Sequence, residues 1–249
     1  METIIPKTSE AFTTLLRSDL KTQWRNRRSV VLILLIPVII LLSWKGAIEH
    51  IGGAIAIGTC ITIGLTAIGL MGYSNSIARD REKGVFQRLR ATPIPSWCIM
   101  ASRITVQLIL IAIVTLAVFF AGFYFDKISL APVGYILAFI AAIVGGAVYL
   151  GLGQMIVGLI KNPETVNSTT RLVYFAFIMV GMLGQFGIFG EQLKNIVAWS
   201  PYGTVQTLIS VSLNPDKWNA QTTEALFVTI GYAFIFSVIG IKKFQWSYK

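Results

Sequence analysis

Proton transfer or metal chemistry in this chain would have to rest on His50 and Glu49, because His50 is the only histidine. One histidine cannot build a zinc site, and no His/Cys/Asp/Glu cluster has ligand spacing. His50 and Glu49 fit a short interfacial loop better than a catalytic pair. Cys60 and Cys98 are too few for a disulfide framework, and Cys60 falls mid-span while Cys98 falls near the cytoplasmic face. There is no Gly-x-Ser-x-Gly nucleophile elbow. The chain also has no Gly-Lys dipeptide, so it has no P-loop with which to bind ATP. What remains is one dense ionic cassette, Arg79-Asp80-Arg81-Glu82-Lys83-Gly84-Val85-Phe86-Gln87-Arg88-Leu89-Arg90. Seven of these twelve residues are charged, in a chain where 13% are. Ala91-Thr92-Pro93-Ile94-Pro95 follows it. Val85, Phe86 and Leu89 fall on one side of a short helix, and Thr92-Pro93 ends that helix, since the residue before proline avoids helical geometry. Such an element can plug into a groove on a soluble partner, or it can be a solvated loop.

The elements that carry the cassette belong in a membrane. Of the 249 residues, 55% are hydrophobic, and mean hydropathy is +0.71. Soluble domains run near 45–50% apolar and about 25% charged. Six stretches lack Asp, Glu, Lys and Arg: Ser29–Trp44, Ile51–Ala78, Ile104–Phe125, Ile128–Ile160, Leu172–Gly190 and Ala225–Ile241. A spanning helix needs roughly 20 apolar residues. The predicted spans are therefore about 29–48, 51–74, 102–125, 134–160, 171–190 and 222–241, with Lys45 snorkelling at the end of the first. Pro37 is predicted to kink the first span. Asn195–Pro215 is also uncharged, but its Ser200-Pro201-Tyr202-Gly203-Thr204 centre suits a re-entrant or interfacial element within an external segment 191–221.

The basic residues set the direction. With residues 1–28 inside, 17 Lys/Arg lie on the inner side and 4 (Lys45, Lys127, Lys194 and Lys217) on the outer. The bias of short loops fixes orientation, so both termini and the segment 79–97 are predicted to be cytoplasmic. The net charge of +10 lies beside hydrophobic runs, where the membrane explains it better than nucleic acid does. In the leader, Phe12, Leu16, Leu20 and Trp24 recur every four residues while Arg17, Lys21, Arg25 and Arg28 take other faces. That pattern predicts an amphipathic helix on the inner leaflet; packing on another subunit is the alternative. No cleavable signal precedes the first apolar run, so the leader is expected to stay on the protein.

Inside the spans the polar residues are neutral, among them Asn75, Gln107, Gln154 and Gln185. Gln154 and Gln185 are candidate pathway residues, although bonding between helices is the commoner role. Ion-coupled transport usually places ionisable groups within the spans, so an energy source for transport must lie elsewhere. Glycines gather in the second, fourth and fifth spans, including Gly69, Gly72, Gly146, Gly151 and Gly153. Small residues of this kind let membrane helices approach closely.

Arg81-Glu82-Lys83-Gly84-Val85-Phe86-Gln87-Arg88-Leu89-Arg90-Ala91-Thr92-Pro93 resembles the segment after the second span of ABC-2-type exporter permeases. Val85 stands where that family usually has Thr, and Gln87 where it usually has Glu. The polar turn Lys161-Asn162-Pro163-Glu164-Thr165-Val166-Asn167 and the segment Trp199-Ser200-Pro201-Tyr202-Gly203 are similar to family features in the same order. The resemblance implies an all-α integral membrane domain over 1–249, with six spans, an interface helix, a coupling helix and an external re-entrant piece. It implies that Arg81, Glu82, Lys83, Gly84, Val85, Phe86, Arg88, Leu89, Arg90, Thr92 and Pro93 couple to an ATPase. The implied partners are two cytoplasmic ABC ATPase subunits, which hold ATP and Mg, a second copy or a paralogous permease, and membrane lipid. The chain itself is expected to hold no cofactor or metal. Export of a small amphiphile, drug or peptide antibiotic from a bacterial plasma membrane is the expected function. An integral-membrane enzyme or an ATP-independent channel is the alternative.

Overall fold

The computed structural model describes residues 7–25, 27–185 and 190–246, except the side chains of 27–29, 182 and 185. Every regular element among them is helical. Apart from the single turns Ile48–Ile51 and Pro215–Lys217, they are α1 (Thr8–Arg25), α2 (Arg27–Ser43), α3 (Gly53–Glu82), α4 (Val85–Arg90), α5 (Ser96–Tyr124), α6 (Pro132–Leu159), α7 (163–185), α8 (Glu191–Ala198), α9 (Pro201–Ser212) and α10 (Ala220–Lys243). Proline at the first helical position and side-chain caps set several starts. Asn162 accepts from the amides of Glu164 (2.8 Å) and Thr165 (3.2 Å), Ser200 from Gly203 (3.1 Å), and Asn219 from Thr222 (2.9 Å).

Four of these helices, α3, α5, α6 and α10, are long and apolar enough to cross a membrane. A fifth span is added if α1 and the helix that follows it, which meet at 64°, count as one bent unit. The helix at the predicted first span has 17 residues and runs through Pro37 without interruption. The predicted fifth span falls on α7, whose first half is polar; its predicted end, 186–190, lies largely outside the described residues. The helix that carries the predicted second span, 51–74, is longer than that span. It continues without a break to Glu82, because charged residues in the last turn of a helix leaving the bilayer do not stop it.

α3 is the axis of the bundle. In its most apolar window 83% of residues are buried, against 17% for α10, so α10 sits at the periphery. α6 packs against both, and α2, α5 and α9 also lie on α3. Residues Ala67–Ser74 of α3 and Phe177–Met182 of α7 are π-helical, and the α3 stretch packs on the first part of α7, Pro163–Ala176. Within α3, hydroxyls satisfy themselves on the preceding turn: Thr62 donates to the Gly58 carbonyl (2.8 Å) and Thr66 to that of Thr62 (2.7 Å). This avoids unpaired donors in an apolar core.

The segment predicted to be re-entrant forms two helices, α8 and α9, broken at Trp199-Ser200. α9 has 12 residues; at 1.5 Å each it is about 18 Å long, short of a ~30 Å hydrocarbon core. It is nonetheless buried against α3, α6 and α10. Gln206 donates to Thr59 of α3 (3.3 Å) and to Ser210 (3.2 Å).

Candidate functional site

The site forms at the charged end of the bundle, where α3 runs beyond the apolar region and turns into α4. Gly84 makes that turn at φ +67°. L-residues with a Cβ pay roughly 1–2 kcal/mol for this conformation, which explains glycine between the two helices. α4 then spans six residues, and Thr92 closes it by donating from its hydroxyl to the Leu89 carbonyl.

The apolar side of α4 faces inward. Phe86 is fully buried. Its ring meets Phe244 edge-on at 5.8 Å and Trp246 at 5.9 Å, both just beyond the end of α10. Arg90 lies over the Trp246 ring at 5.5 Å. Val85 and Leu89 are half-buried beside it. The sequence suggested Val85, Phe86 and Leu89 as a grip offered outward. In the fold Phe86 anchors α4 to the protein's own tail, because burying it there removes its apolar surface from water. The groups left in solvent are Glu82, Lys83, Gln87, Arg88, Arg90, Thr92 and Pro93.

Arg81 is also buried, and it points away from that exposed face. Its Nη1 donates to the Val157 carbonyl (2.8 Å), and its Nη2 to those of Ile160 (2.7 Å) and Lys161 (2.8 Å). The last carbonyls of a helix lack intrahelical partners and carry its negative dipole end. One guanidinium fork thus closes the end of α6 and holds the turn whose Asn162 starts α7. The two polar segments that looked unrelated in sequence, 79–95 and 161–167, meet through this side chain.

Arg103, near the start of α5, completes the assembly. Its Nε pairs with Asp19 of α1 (3.1 Å), its Nη1 with Asp80 of α3, and its guanidinium lies 5.9 Å from the Phe86 ring centre. Ser102 donates to Asp19 as well. Burial holds the Asp19 carboxyl above its usual range, while Arg103 and the Ser102 hydroxyl pull it back. α4 is therefore tied to α1, α3 and α5 through Arg103, and to the tail beyond α10 through Phe86; Arg81 ties the preceding turn to α6. Sequence reasoning missed Asp19, Arg103, Phe244 and Trp246. The aromatic pair directly after the last apolar run was the available signal.

Of the candidate pathway residues, Gln154 is buried and accepts from the Tyr73 hydroxyl (2.7 Å), joining α6 to α3. The side chain of Gln185 lies outside the described residues. α1 packs along α5 and leaves Trp24 68% exposed and Leu20 exposed, as suits an interfacial helix. Among the described residues no group of three His, Cys, Asp or Glu could hold a metal ion.

Comparison with known proteins bears on the whole arrangement. Residues 10–202 match the profile of the family described as ABC-2 type transporter. No curated protein matches the chain. The match extends from the leader helix through the cassette to the start of α9, well over half the chain. The chain therefore belongs to the ABC-2 type transporter family, as a multi-pass membrane permease component.

Proposed function

We propose that the chain is the permease subunit of an ABC exporter and that α4 is the helix through which separate ATPase subunits drive it. One observation carries this reading: a six-residue helix is tied to leader, bundle and tail, yet it turns Gln87 and Arg88 outward, with Thr92 and Pro93 exposed just after it. A solvated loop has no need of such anchoring. A force applied to α4 would reach α6 through Arg81, α5 and α1 through Arg103, and α10 through Phe86.

In the full topology, α2 and α7 join the four long helices as spans, both termini lie in the cytoplasm of a bacterial cell, α1 rests on the inner leaflet and α8–α9 form the external re-entrant piece. Two ATPase subunits, which hold ATP and Mg, act on two permeases, either two copies of this chain or one copy with a paralogue. The cargo is a small amphiphile, drug or peptide antibiotic moved outward.

Arg88→Glu tests the docking role, because Arg88 is exposed and, among the described residues, its one side-chain hydrogen bond is to the Lys83 carbonyl (2.9 Å). In proteoliposomes holding the permease with its co-purified ATPase, this charge reversal is expected to lower ATP-dependent transport about tenfold. The melting temperature of the permease alone should stay unchanged. Transport at the wild-type rate would sink the docking assignment. Transport that continues without ATP would favour a channel.

A further inference from the structure

A cavity of about 310 Å³ lies between α3, α5, α6 and α10, apart from the contacts of the cassette. That is the lower end of the size range of small-molecule sites, ~300–1,000 Å³. Its walls are apolar, Ala147 among them, and Ile104 and Ile241 at its side are 39% and 69% exposed. It therefore opens laterally, toward lipid. Three polar side chains line it, Tyr73, Gln154 and Ser237. Gln154 has its Oε1 engaged by Tyr73, but among the described residues its Nε2 has no partner, and neither has the Ser237 hydroxyl. Gln154 is more than nine-tenths buried as a residue and lines the cavity, and an amide donor that meets only an apolar pocket costs free energy. It stands five residues before the end of α6, about 7.5 Å along the axis. This is the level of lipid ester groups rather than of mid-bilayer. Lys242 and Lys243 directly follow Ile241 in α10 and are exposed.

We propose that this cavity binds an anionic, ester-linked lipid of the cytoplasmic leaflet. One acyl chain fills the apolar pocket, an ester carbonyl accepts from Gln154 Nε2 and the Ser237 hydroxyl, and the phosphate lies against Lys242 and Lys243. The leaflet rests on the orientation proposed above; the site's geometry does not. Gln154 binds Tyr73 of α3, and Lys243 precedes the Phe244–Trp246 cage around Phe86. An occupied site would thus brace both elements that lead to α4.

The test is native mass spectrometry of the delipidated full-length chain titrated with phosphatidylglycerol, its ether-linked analogue and phosphatidylcholine. It needs neither ATP nor ATPase, so its failure leaves the permease reading intact, and failure of that reading leaves this test standing. One tight phosphatidylglycerol is expected per chain. Binding should weaken roughly three- to tenfold with the ether lipid or in Gln154→Leu. The surface variant Lys242→Gln/Lys243→Gln should lose about twentyfold in affinity and its preference over phosphatidylcholine. Ala147→Trp, which fills the pocket, should abolish the tight site. Equal binding of phosphatidylglycerol and phosphatidylcholine, or wild-type binding by the double lysine variant, would overturn the proposal even if Ala147→Trp does not fold. So would uncharged dodecyl maltoside competing at equal affinity, which would mark a general amphiphile pocket.

Discussion

Gly153→Val is expected to prevent α3 and α6 from packing and to leave little folded protein after extraction in mild detergent. A Cβ at Gly153 would meet the Gly69 carbonyl oxygen and the Ser74 hydroxyl, and one at Gly69 would fall 2.5 Å from the Tyr149 carbonyl. Backbone therefore lies against backbone, along the π-helical stretch of α3. A side chain can rotate away from a clash, but these carbonyls are fixed by their own helices. Overpacking commonly costs ~1–3 kcal/mol, and separating the two central helices of the bundle should reach or exceed the top of that range. Gly231→Val is the matched control, since nothing lies within 4 Å of its Cβ. Fluorescence-detected size exclusion after heating should show the control near wild type and Gly153→Val aggregated. Similar melting of the two variants would refute the backbone contact.

Arg81→Met should be the most damaging change in the cassette, and it should act without any ATPase present. Removing the guanidinium leaves three carbonyls at the end of α6 without their donor. Charge-assisted hydrogen bonds are worth roughly 1.5–3 kcal/mol each but do not add fully, so the expected loss is on the order of 3 kcal/mol. Arg81→Lys keeps the charge but cannot present a fork to three acceptors; it should fall between Met and wild type. The thermal melt of the isolated permease reads this directly. A wild-type melt for Arg81→Met would show that the clamp holds nothing. The contrast with Arg88→Glu matters, because residues seven apart in one cassette are expected to fail in different assays.

That division was only half legible in the sequence. Charge-free runs bounded by basic residues located α5, α6 and α10 to within a few residues, save for the charged start of α5. The same logic did not show that Arg79–Glu82 extend α3 as helix beyond its charge-free run. Periodicity placed Val85, Phe86 and Leu89 on one side of α4. It could not say that this side faces Phe244 and Trp246, because a six-residue helix gives no hint of a partner at the far end of the chain. Arg81 read as one of the residues that couple to an ATPase, and its inward bonds were not legible, for its acceptors are backbone carbonyls, which every residue carries. Gly69 and Gly153 were visible as packing residues, whereas their mutual contact depends on a π-helical stretch that no proline or polar break announces. Gln154 was a candidate for the pathway; its bond to Tyr73 gives it a structural role as well.

The central claim is that the outward face of α4 receives the ATPase. The direct measurement is photocrosslinking in intact membranes, with a photoreactive amino acid placed singly at Gln87, at Arg88 and, as a control, at Lys127 in the loop between α5 and α6. The account predicts crosslinks from Gln87 and Arg88 to a cytoplasmic P-loop protein and none from Lys127. Crosslinks to that protein from other inner segments but not from Gln87 or Arg88 would contradict it.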